Sequence, residues 1–208
     1  GSLGETIRHA AFQVSSIITT TGFATTDFDK WPGFSKAIIL SLMVLGACAG
    51  STGGGLKCGR ALILLKSAHR NIRKVLHPQK VQVVRNNGRM VDEKIVASIN
   101  AYMAIYVIIV ILSFLMISID GFSVETNLSA VLACFNNIGP GLSLVGPTCN
   151  FGFFNNFSKY ILMFDMLAGR LELFPLLILF HPSIWKELFI QADKKVKGNR
   201  KEKQNVRM

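Results

Sequence analysis

The sequence predicts an all-α, polytopic membrane protein, and three observations carry this prediction. Of its 208 residues, 50% are hydrophobic and 17% are charged, whereas a soluble domain usually has about a quarter charged residues. A segment of 24 residues, Val96 to Ile119, contains no charged side chain and is long enough to cross about 30 Å of hydrocarbon. The formal net charge is +11, and most basic residues lie in two stretches of the chain. The apolar composition excludes a disordered chain.

The basic residues predict which segments face the cytoplasm. Of the 23 Lys and Arg residues, ten lie in residues 57–94 and eight in residues 186–207, whereas residues 120–157 have none. Because Lys and Arg hinder translocation, we expect residues 57–94 and the tail from 186 inside, and residues 19–33 and 120–157 outside. Solvated faces or RNA-binding tails are the alternative for the basic stretches. Since these stretches lack interleaved aromatic residues, no nucleic-acid partner is expected.

Two further apolar stretches reach spanning length but are interrupted. Residues 34–65 are broken by residues 46–55, which contain five glycines. Because glycine costs about 1 kcal/mol per helical residue relative to alanine, this segment is expected to unwind. Residues 157–185 also reach spanning length. They carry three charged residues near their middle, namely Asp165, Arg170 and Glu172.

Two shorter apolar runs, residues 10–18 and 128–135, cannot cross a membrane. Each ends in a polar cluster that contains glycine. This pattern is typical of a re-entrant segment, although a short extracellular helix has a similar sequence. The predicted order is therefore short helix, glycine turn and span, followed by span, short helix, glycine turn and span.

An internal repeat supports this order of elements. Phe34-Ser35-Lys36 recurs as Phe157-Ser158-Lys159 at an offset of 123 residues, at which Met43 also matches Met166 and Gly46 matches Gly169. Gly22 and Gly139, each after a short apolar run, are related by an offset of 117 residues. Duplication of one unit accounts for these matches better than chance, because the order of elements also repeats. The second unit is complete, whereas the first lacks its leading span.

The two glycine turns predict a path for a cation. Backbone that leaves helical geometry inside a bilayer has unpaired carbonyl groups, which persist only inside protein or along a water-filled path. A re-entrant helix followed by an extended turn directs such carbonyls at one axis, where they replace the hydration shell of an ion. The negative end of the helix dipole lies there too and favours a cation. Residues 15–24 and 135–141 fit this plan; ordinary extracellular turns are the alternative.

Several motifs resemble those of a known family. The segments TTGFA (residues 20–24) and NIGPG (residues 137–141) resemble the TVGYG filter of potassium channels. The strings SIITTTGFATTDFDKWP, LGACAGSTGGGLK, NNIGPGLS and MLAGRLELFP resemble the TrkH branch of the Trk/Ktr/HKT potassium-uptake family, over nearly all of residues 5–190. That family builds one potassium-channel-like pore from four span–pore helix–span repeats with re-entrant filter loops. By this resemblance, the sequence supplies the end of the third repeat and the whole fourth.

The resemblance implies two groups of site residues. The selectivity filter, whose carbonyl oxygens hold potassium transiently, would consist of Thr20, Thr21, Gly22, Phe23, Ala24, Asn137, Ile138, Gly139, Pro140 and Gly141. The intramembrane gate below it would consist of Gly50, Ser51, Thr52, Gly53, Gly54, Gly55, Lys57 and Arg170. No catalytic residue and no covalently bound cofactor are expected, only potassium as the transported ion.

The gate residues also have structural alternatives. Glycines four residues apart within residues 46–54 match the GxxxG pattern of helix packing, although three consecutive glycines exceed what packing requires. A mid-membrane arginine is costly and by default functional, but Arg170 pairs alternatively with Asp165 or Glu172. Lys57 more commonly extends along its aliphatic chain to the cytoplasm than it contributes to gating.

The expected organisation has four parts. Residues 1–75 form the pore helix, filter and broken inner span of the third repeat, and residues 76–94 form a cytoplasmic basic loop. Residues 95–190 form the complete fourth repeat, and residues 191–208 form a basic cytoplasmic tail.

The predicted function is potassium uptake across the cell (inner) membrane through a filter-and-gate pore. A secondary carrier of another cation or solute with discontinuous helices is the alternative. A membrane-embedded enzyme ranks last, because no nucleophile or metal-binding motif supports it. The resemblance further implies a homodimer on a cytosolic, nucleotide-binding regulatory subunit of the TrkA type. The basic loop is expected to meet anionic membrane lipid.

Overall fold

The computed structural model describes residues 3–46, 55–77, 83–86 and 88–171, and this part of the chain is mostly helical. Its α-helices are α1 (Leu3–Ile18), α2 (Gly33–Val44), α3 (Cys58–Leu76), α4 (Glu93–Ile117), α5 (Val124–Phe135) and α6 (Asn156–Arg170). Short 3₁₀ turns lie at Phe28–Lys30, Ser118–Asp120 and Ser143–Val145. Two pairs of two-residue strands complete the described elements: β1 (Leu45–Gly46) with β2 (Leu56–Lys57), and β3 (Arg85–Asn86) with β4 (Arg89–Met90). We call α1–α3 the first segment and α4–α6 the second segment.

α4 is the one described helix that is long and apolar enough to cross a membrane. With the 3₁₀ turn that follows, it extends over 28 residues, Glu93–Asp120. Asp92 caps its first turn by accepting a hydrogen bond from the backbone N–H of Lys94 at 3.0 Å. Gly121, at φ +79°, ends it with left-handed backbone. At about 1.5 Å per residue, α4 exceeds the ~30 Å thickness of a hydrocarbon core. Together with the 3₁₀ turn, it covers the predicted span Val96 to Ile119.

The second apolar stretch is interrupted where its glycines begin. α2 ends at Val44, and α3 begins at Cys58. The two ends lie side by side, because β1 pairs in parallel with β2. This pairing supplies partners for backbone groups that a broken helix leaves unpaired, which explains why strands occur in a protein predicted to be all-α. Residues 47–54, which include most of the predicted gate, lie outside the described residues.

α3 shows that the first part of the basic stretch 57–94 is helical. It extends over 19 residues, Cys58–Leu76. Five basic side chains of this stretch are therefore on a helix: Arg60, Lys66, Arg70, Arg73 and Lys74. The reason is local composition, because residues 60–76 contain neither glycine nor proline and are rich in good helix formers. The helix ends two residues before Pro78, which disfavours helical backbone in the residue preceding it.

α5 lies at the centre of the packing and is buried along most of its length. One core cluster combines it with side chains of α1 and α2 and consists of Ile17, Phe28, Ile39, Met43, Leu132, Ile138 and Leu142. A second cluster lies towards α4 and α6 and consists of Ile117, Ala130, Val131, Cys134, Val145, Phe154 and Leu162. Because α5 contributes to both clusters, it packs against helices of both segments.

Candidate functional site

Both predicted filter segments begin as a turn at the end of a helix, and the two turns have the same hydrogen bonds. The first glycine turn, residues 19–24, follows α1, and the second glycine turn, residues 136–141, follows α5. In the first, the N–H groups of Thr19, Thr20 and Thr21 donate to the carbonyl oxygens of Ser15, Ile17 and Ser16 at 3.0, 3.1 and 2.9 Å. In the second, those of Asn136, Asn137 and Ile138 donate to Leu132, Cys134 and Ala133 at 3.0, 3.1 and 2.9 Å. Every donor and acceptor is matched at an offset of 117 residues, the offset that relates Gly22 to Gly139.

The backbone angles of the two turns also match. Thr20 has φ +55° and Asn137 has φ +54°, and the glycines two residues later, Gly22 and Gly139, have φ +80° and +108°. Left-handed backbone costs an L-residue about 1–2 kcal/mol, and it is unusual for a β-branched threonine. Such strain at matched positions persists because the surrounding structure holds it.

The two turns meet through their main chains at Gly22. A Cβ atom on Gly22 would lie 2.2 Å from the carbonyl oxygen of Ile138 and 3.3 Å from Cδ of Pro140, so only glycine fits there. Gly139 has no heavy atom within 4 Å of its Cβ position, and its positive φ alone favours glycine. The structure therefore brings the two predicted filter segments into contact.

A cavity of about 620 Å³ lies against both turns. Five of the ten predicted filter residues line it, namely Thr20, Thr21, Asn137, Ile138 and Gly139. Met163 and Met166 of α6 form part of the opposite wall. The remaining filter residues, among them the exposed Phe23, do not line this cavity.

The predicted gate is described only in part. Gly50, Ser51, Thr52, Gly53 and Gly54 lie outside the described residues. Gly55 is buried at φ +77°, and a Cβ atom there would lie 2.5 Å from Oδ1 of Asn136, the residue that follows α5. Lys57 is half-buried immediately before α3, and Arg170 is the exposed last residue of α6. One end of the glycine-rich segment thus contacts the second glycine turn.

Asn136 is not among the predicted site residues, yet it contacts both Gly55 and Tyr106 of α4. Its side chain is completely buried, and the Tyr106 hydroxyl lies 3.3 Å from its Oδ1 and 3.2 Å from its Nδ2. One turn earlier on α4, the Tyr102 hydroxyl donates to the Gly55 carbonyl at 3.5 Å. Two tyrosines four residues apart on an otherwise apolar helix are the sequence signal that would have pointed here.

Asp29 is a second residue outside the predicted set, and it joins distant parts of the chain. Its Oδ1 accepts hydrogen bonds from the N–H of Ser143 at 2.8 Å and from Nζ of Lys36 at 3.0 Å. Burial raises the pKa of the Asp29 carboxyl, but these two donors outweigh burial and hold the pKa below its ordinary value of 3.8. Because 114 residues separate Asp29 from Ser143, no local pattern indicated this contact.

Lys36 and Lys159 make matching contacts in the two segments. Lys36, in the first turn of α2, donates to Asp29 seven residues earlier at 3.0 Å. Lys159, in the first turn of α6, donates to the carbonyl oxygen of Gly152, also seven residues earlier, at 2.8 Å. Donors and acceptors are both related by the offset of 123 residues found in the sequence. The similarity of the two segments therefore extends from residue identities to contacts.

Asp165 lies inside α6 and is completely buried. Its Oδ1 accepts a hydrogen bond from the Ser113 hydroxyl of α4 at 2.7 Å. Because a buried carboxyl group needs such a partner, this bond accounts for the position of Ser113 on the face of α4 that packs against α6. The alternative pairing of Asp165 with Arg170 stays a prediction.

Comparison with known proteins gives consistent matches along nearly the whole chain. The family model TrkH, described as a cation transport protein, matches residues 2–187. The chain is 40% identical over 182 residues to the Trk system potassium uptake protein TrkH of Escherichia coli (strain K12), which covers 88% of this chain and 37% of that protein. It is 32% identical over 178 residues to the Trk system potassium uptake protein TrkG of the same organism, covering 86% of this chain and 36% of that protein.

A solved structure is similar as well. The crystal structure of the potassium transporter TrkH from Vibrio parahaemolyticus matches with a TM-score of 0.80 and 37% identity, over 88% of this chain and 39% of that chain. The chain thus spans a little more than a third of the length of these relatives. Because the family model matches far more than half of the sequence, the chain belongs to the TrkH family of cation transport proteins.

Proposed function

We propose that this sequence is part of a Trk-system potassium uptake protein and forms part of its ion pathway. In this proposal, residues 20–24 and 137–141 are two of the filter segments of one pore. The relatives named as Trk system potassium uptake proteins support the choice of potassium as the transported ion. Because the chain matches a little more than a third of their length, the other filter segments would lie outside residues 1–208.

The observation that carries the proposal is the duplicated turn. Two helices, α1 and α5, end in turns with matching hydrogen bonds and matching left-handed residues, and the turns are in contact at Gly22 and Ile138. A pore of repeated units requires such symmetry, because equivalent carbonyl groups must approach one axis from several sides to replace the hydration shell of an ion. The C-terminal ends of both helices add partial negative charge at the turns, which favours a cation.

The proposal also includes an intramembrane gate, of which Gly55 packs against Asn136 at the start of the second glycine turn. It comprises Gly50, Ser51, Thr52, Gly53, Gly54, Gly55, Lys57 and Arg170. Two described features support it: the helix is interrupted between Val44 and Cys58, and Gly55 packs against Asn136. A charged residue such as Arg170 is expensive within a membrane and is by default functional. Its positive charge would repel a cation in the closed state.

The membrane arrangement and the partners are also proposals. The protein would be a multi-pass protein of the cell (inner) membrane, with residues 57–94 and the C-terminal tail in the cytoplasm. The basic side chains of α3 support this orientation, and they would meet anionic lipid headgroups. A homodimer and a cytosolic nucleotide-binding subunit of the TrkA type follow from the family resemblance.

The test is potassium uptake by an uptake-deficient bacterium that expresses the intact protein carrying this sequence. Gly139→Ser is expected to lower the preference for potassium over sodium, because it alters a proposed filter glycine. Gly121→Ser is the matched control: Gly121 also has positive φ and open space around its Cβ position, but it lies at the end of α4. An unchanged preference in Gly139→Ser would contradict the filter assignment. Saturating uptake in fixed stoichiometry with a co-substrate would favour a carrier instead.

A further inference from the structure

The 3₁₀ turn that follows the first glycine turn is anchored firmly in the core. Asp27 caps it by accepting a hydrogen bond from the N–H of Asp29 at 3.2 Å. Phe28 is completely buried, in the cluster that also contains Ile138 and Leu142 of the second segment. Because the two preceding residues are held in this way, the Asp29 carboxylate has a defined position. It lies beside the segment that follows the second glycine turn.

Asp29 is charged and connects three elements. It accepts from the N–H of Ser143 at 2.8 Å and from Nζ of Lys36 in α2 at 3.0 Å. Nζ of Lys36 is also 3.4 Å from a carboxylate oxygen of Glu125, in the first turn of α5. Hydrogen bonds to ionised groups are stronger than neutral ones. The carboxylate therefore ties the first segment to the part of the chain that carries the second glycine turn.

The tied part of the chain has further hydrogen bonds and begins where the proposed filter ends. The N–H of Gly141 donates to Val145 at 2.7 Å, and that of Leu142 donates to the Ser129 hydroxyl at 3.0 Å. Ser143 has φ +58°, left-handed backbone that a residue other than glycine adopts only when it is held. These bonds connect Ser143 to Gly141, the last residue of the second glycine turn, through a hydrogen-bonded backbone.

We propose that Asp29 is a specificity-determining positioning residue. By holding Ser143, it sets the distance between the two glycine turns and with it the separation of their carbonyl groups. This inference rests on the proposed function, since it takes the two turns as filter segments. Discrimination between ions depends on the number and the positions of the carbonyl groups that coordinate the ion. A displaced turn should therefore reduce selectivity before it abolishes uptake.

The second segment offers an internal comparison. Gly152 is the counterpart of Asp29 at the offset of 123 residues. Its backbone carbonyl accepts a hydrogen bond from Nζ of Lys159. There the lysine makes its contact without any side-chain carboxylate. At position 29 the acceptor of the lysine is the side-chain carboxylate, which also accepts from Ser143 in the other segment. Gly152 has no side chain that could accept such a second bond.

The test measures the ratio of potassium to sodium uptake, together with the concentration dependence of each, in the intact protein carrying this sequence. Asp29→Ala removes the acceptor of both Ser143 and Lys36. It should lower the ratio by about tenfold, the size of effect expected when charge-assisted hydrogen bonds are lost. Asp29→Asn should lower it less, because an amide oxygen still accepts from Ser143. Asp120→Asn is the matched control: the Asp120 carboxylate also accepts a backbone N–H, that of Asn155 at 3.1 Å, but both residues lie in the second segment.

A second substitution separates positioning from mere stability. Glycine adopts φ +58° without strain, so Ser143→Gly should restore part of the ratio in the Asp29→Ala protein. If Asp29→Ala does not reach the membrane, the same comparison is made with Asp29→Asn. A ratio that stays at the wild-type value while total uptake falls would overturn the proposal. If Gly139→Ser alters the ratio in that same experiment, the filter assignment survives; if neither variant alters it, the proposed function fails as well.

Discussion

The carbonyl oxygen of Ile138 occupies the space that a side chain on Gly22 would need, since it lies 2.2 Å from the Cβ position. The contact joins main-chain atoms of two turns that are far apart in sequence. A flexible side chain could move aside, but a carbonyl oxygen moves only with its backbone. The two glycine turns are therefore positioned by each other.

Gly22→Ala should impair the protein more than Gly139→Ala. Both glycines have positive φ, which costs an alanine about 1 kcal/mol or more, but only Gly22 also meets a backbone atom. Thermal unfolding in detergent and potassium uptake would measure the difference. Equal losses in the two variants would show that the close approach at Ile138 is not a constraint in the working protein.

Gly55→Ala should likewise be more harmful than Gly88→Ala. The two glycines have nearly equal angles, φ +77° and +78°, but a Cβ atom at Gly55 would lie 2.5 Å from Oδ1 of Asn136, whereas Gly88 has open space. Removing the obstructing amide in a Gly55→Ala/Asn136→Ala double variant should give a smaller loss than the sum of the single losses. Strict additivity of the unfolding temperatures would rule out the contact.

Tyr106→Phe should destabilise the protein, because it leaves the buried Asn136 amide without the hydroxyl that lies 3.3 and 3.2 Å from its polar atoms. The expected cost in the free energy of unfolding is about 1–3 kcal/mol. Tyr160→Phe is the control, since Tyr160 is exposed and its loss of a hydroxyl should have little effect. Denaturant titration of both variants measures the costs; similar values would contradict the bridging role of Tyr106.

The stability contributed by Asp29 should depend on pH. Its pKa is below 3.8 in the folded protein, so the folded state binds fewer protons than the unfolded state in this range. The contribution is complete at neutral pH, and it declines as the pH falls through 3.8 towards the folded pKa. The difference in unfolding temperature between wild type and Asp29→Asn should thus be constant near neutrality and shrink below about pH 4. If the difference in unfolding temperature grew as the pH fell, the predicted pH dependence would be contradicted.

Features of the fold with a local cause were predictable from sequence. The uninterrupted apolar run indicated α4, and five glycines indicated the break after α2. The offset of 117 residues between Gly22 and Gly139 indicated two related turns, which share hydrogen bonds in the structure. Charge density in residues 57–94 suggested a cytoplasmic position and said nothing about whether the backbone was helical. α3 forms in the first part of this stretch from residues with high helix propensity.

The contacts that build the candidate site were not predictable in this way. Asp29 reaches Ser143 across 114 residues, and Tyr106 reaches Asn136 across 30. Asp29 looks ordinary in its own neighbourhood, and the tyrosine pair of α4 does not indicate which residue it contacts. Their roles depend on the packing of α5 against helices of both segments, which decides which polar groups are buried and which donors are near them.

The sequence by itself therefore determined the membrane class, the broken helix, the paired glycine turns and the resemblance to a family. These follow from composition and short-range periodicity, which act through solvation and backbone propensity. The tertiary structure alone decided that the two turns touch, that Gly22 has no room for a Cβ atom, that Asp29 accepts from Ser143, and that Asn136 lies buried against Tyr106. The physical reason is that close packing and hydrogen bonding are sensitive to differences of a few tenths of an ångström in the distances between residues that the chain order keeps far apart.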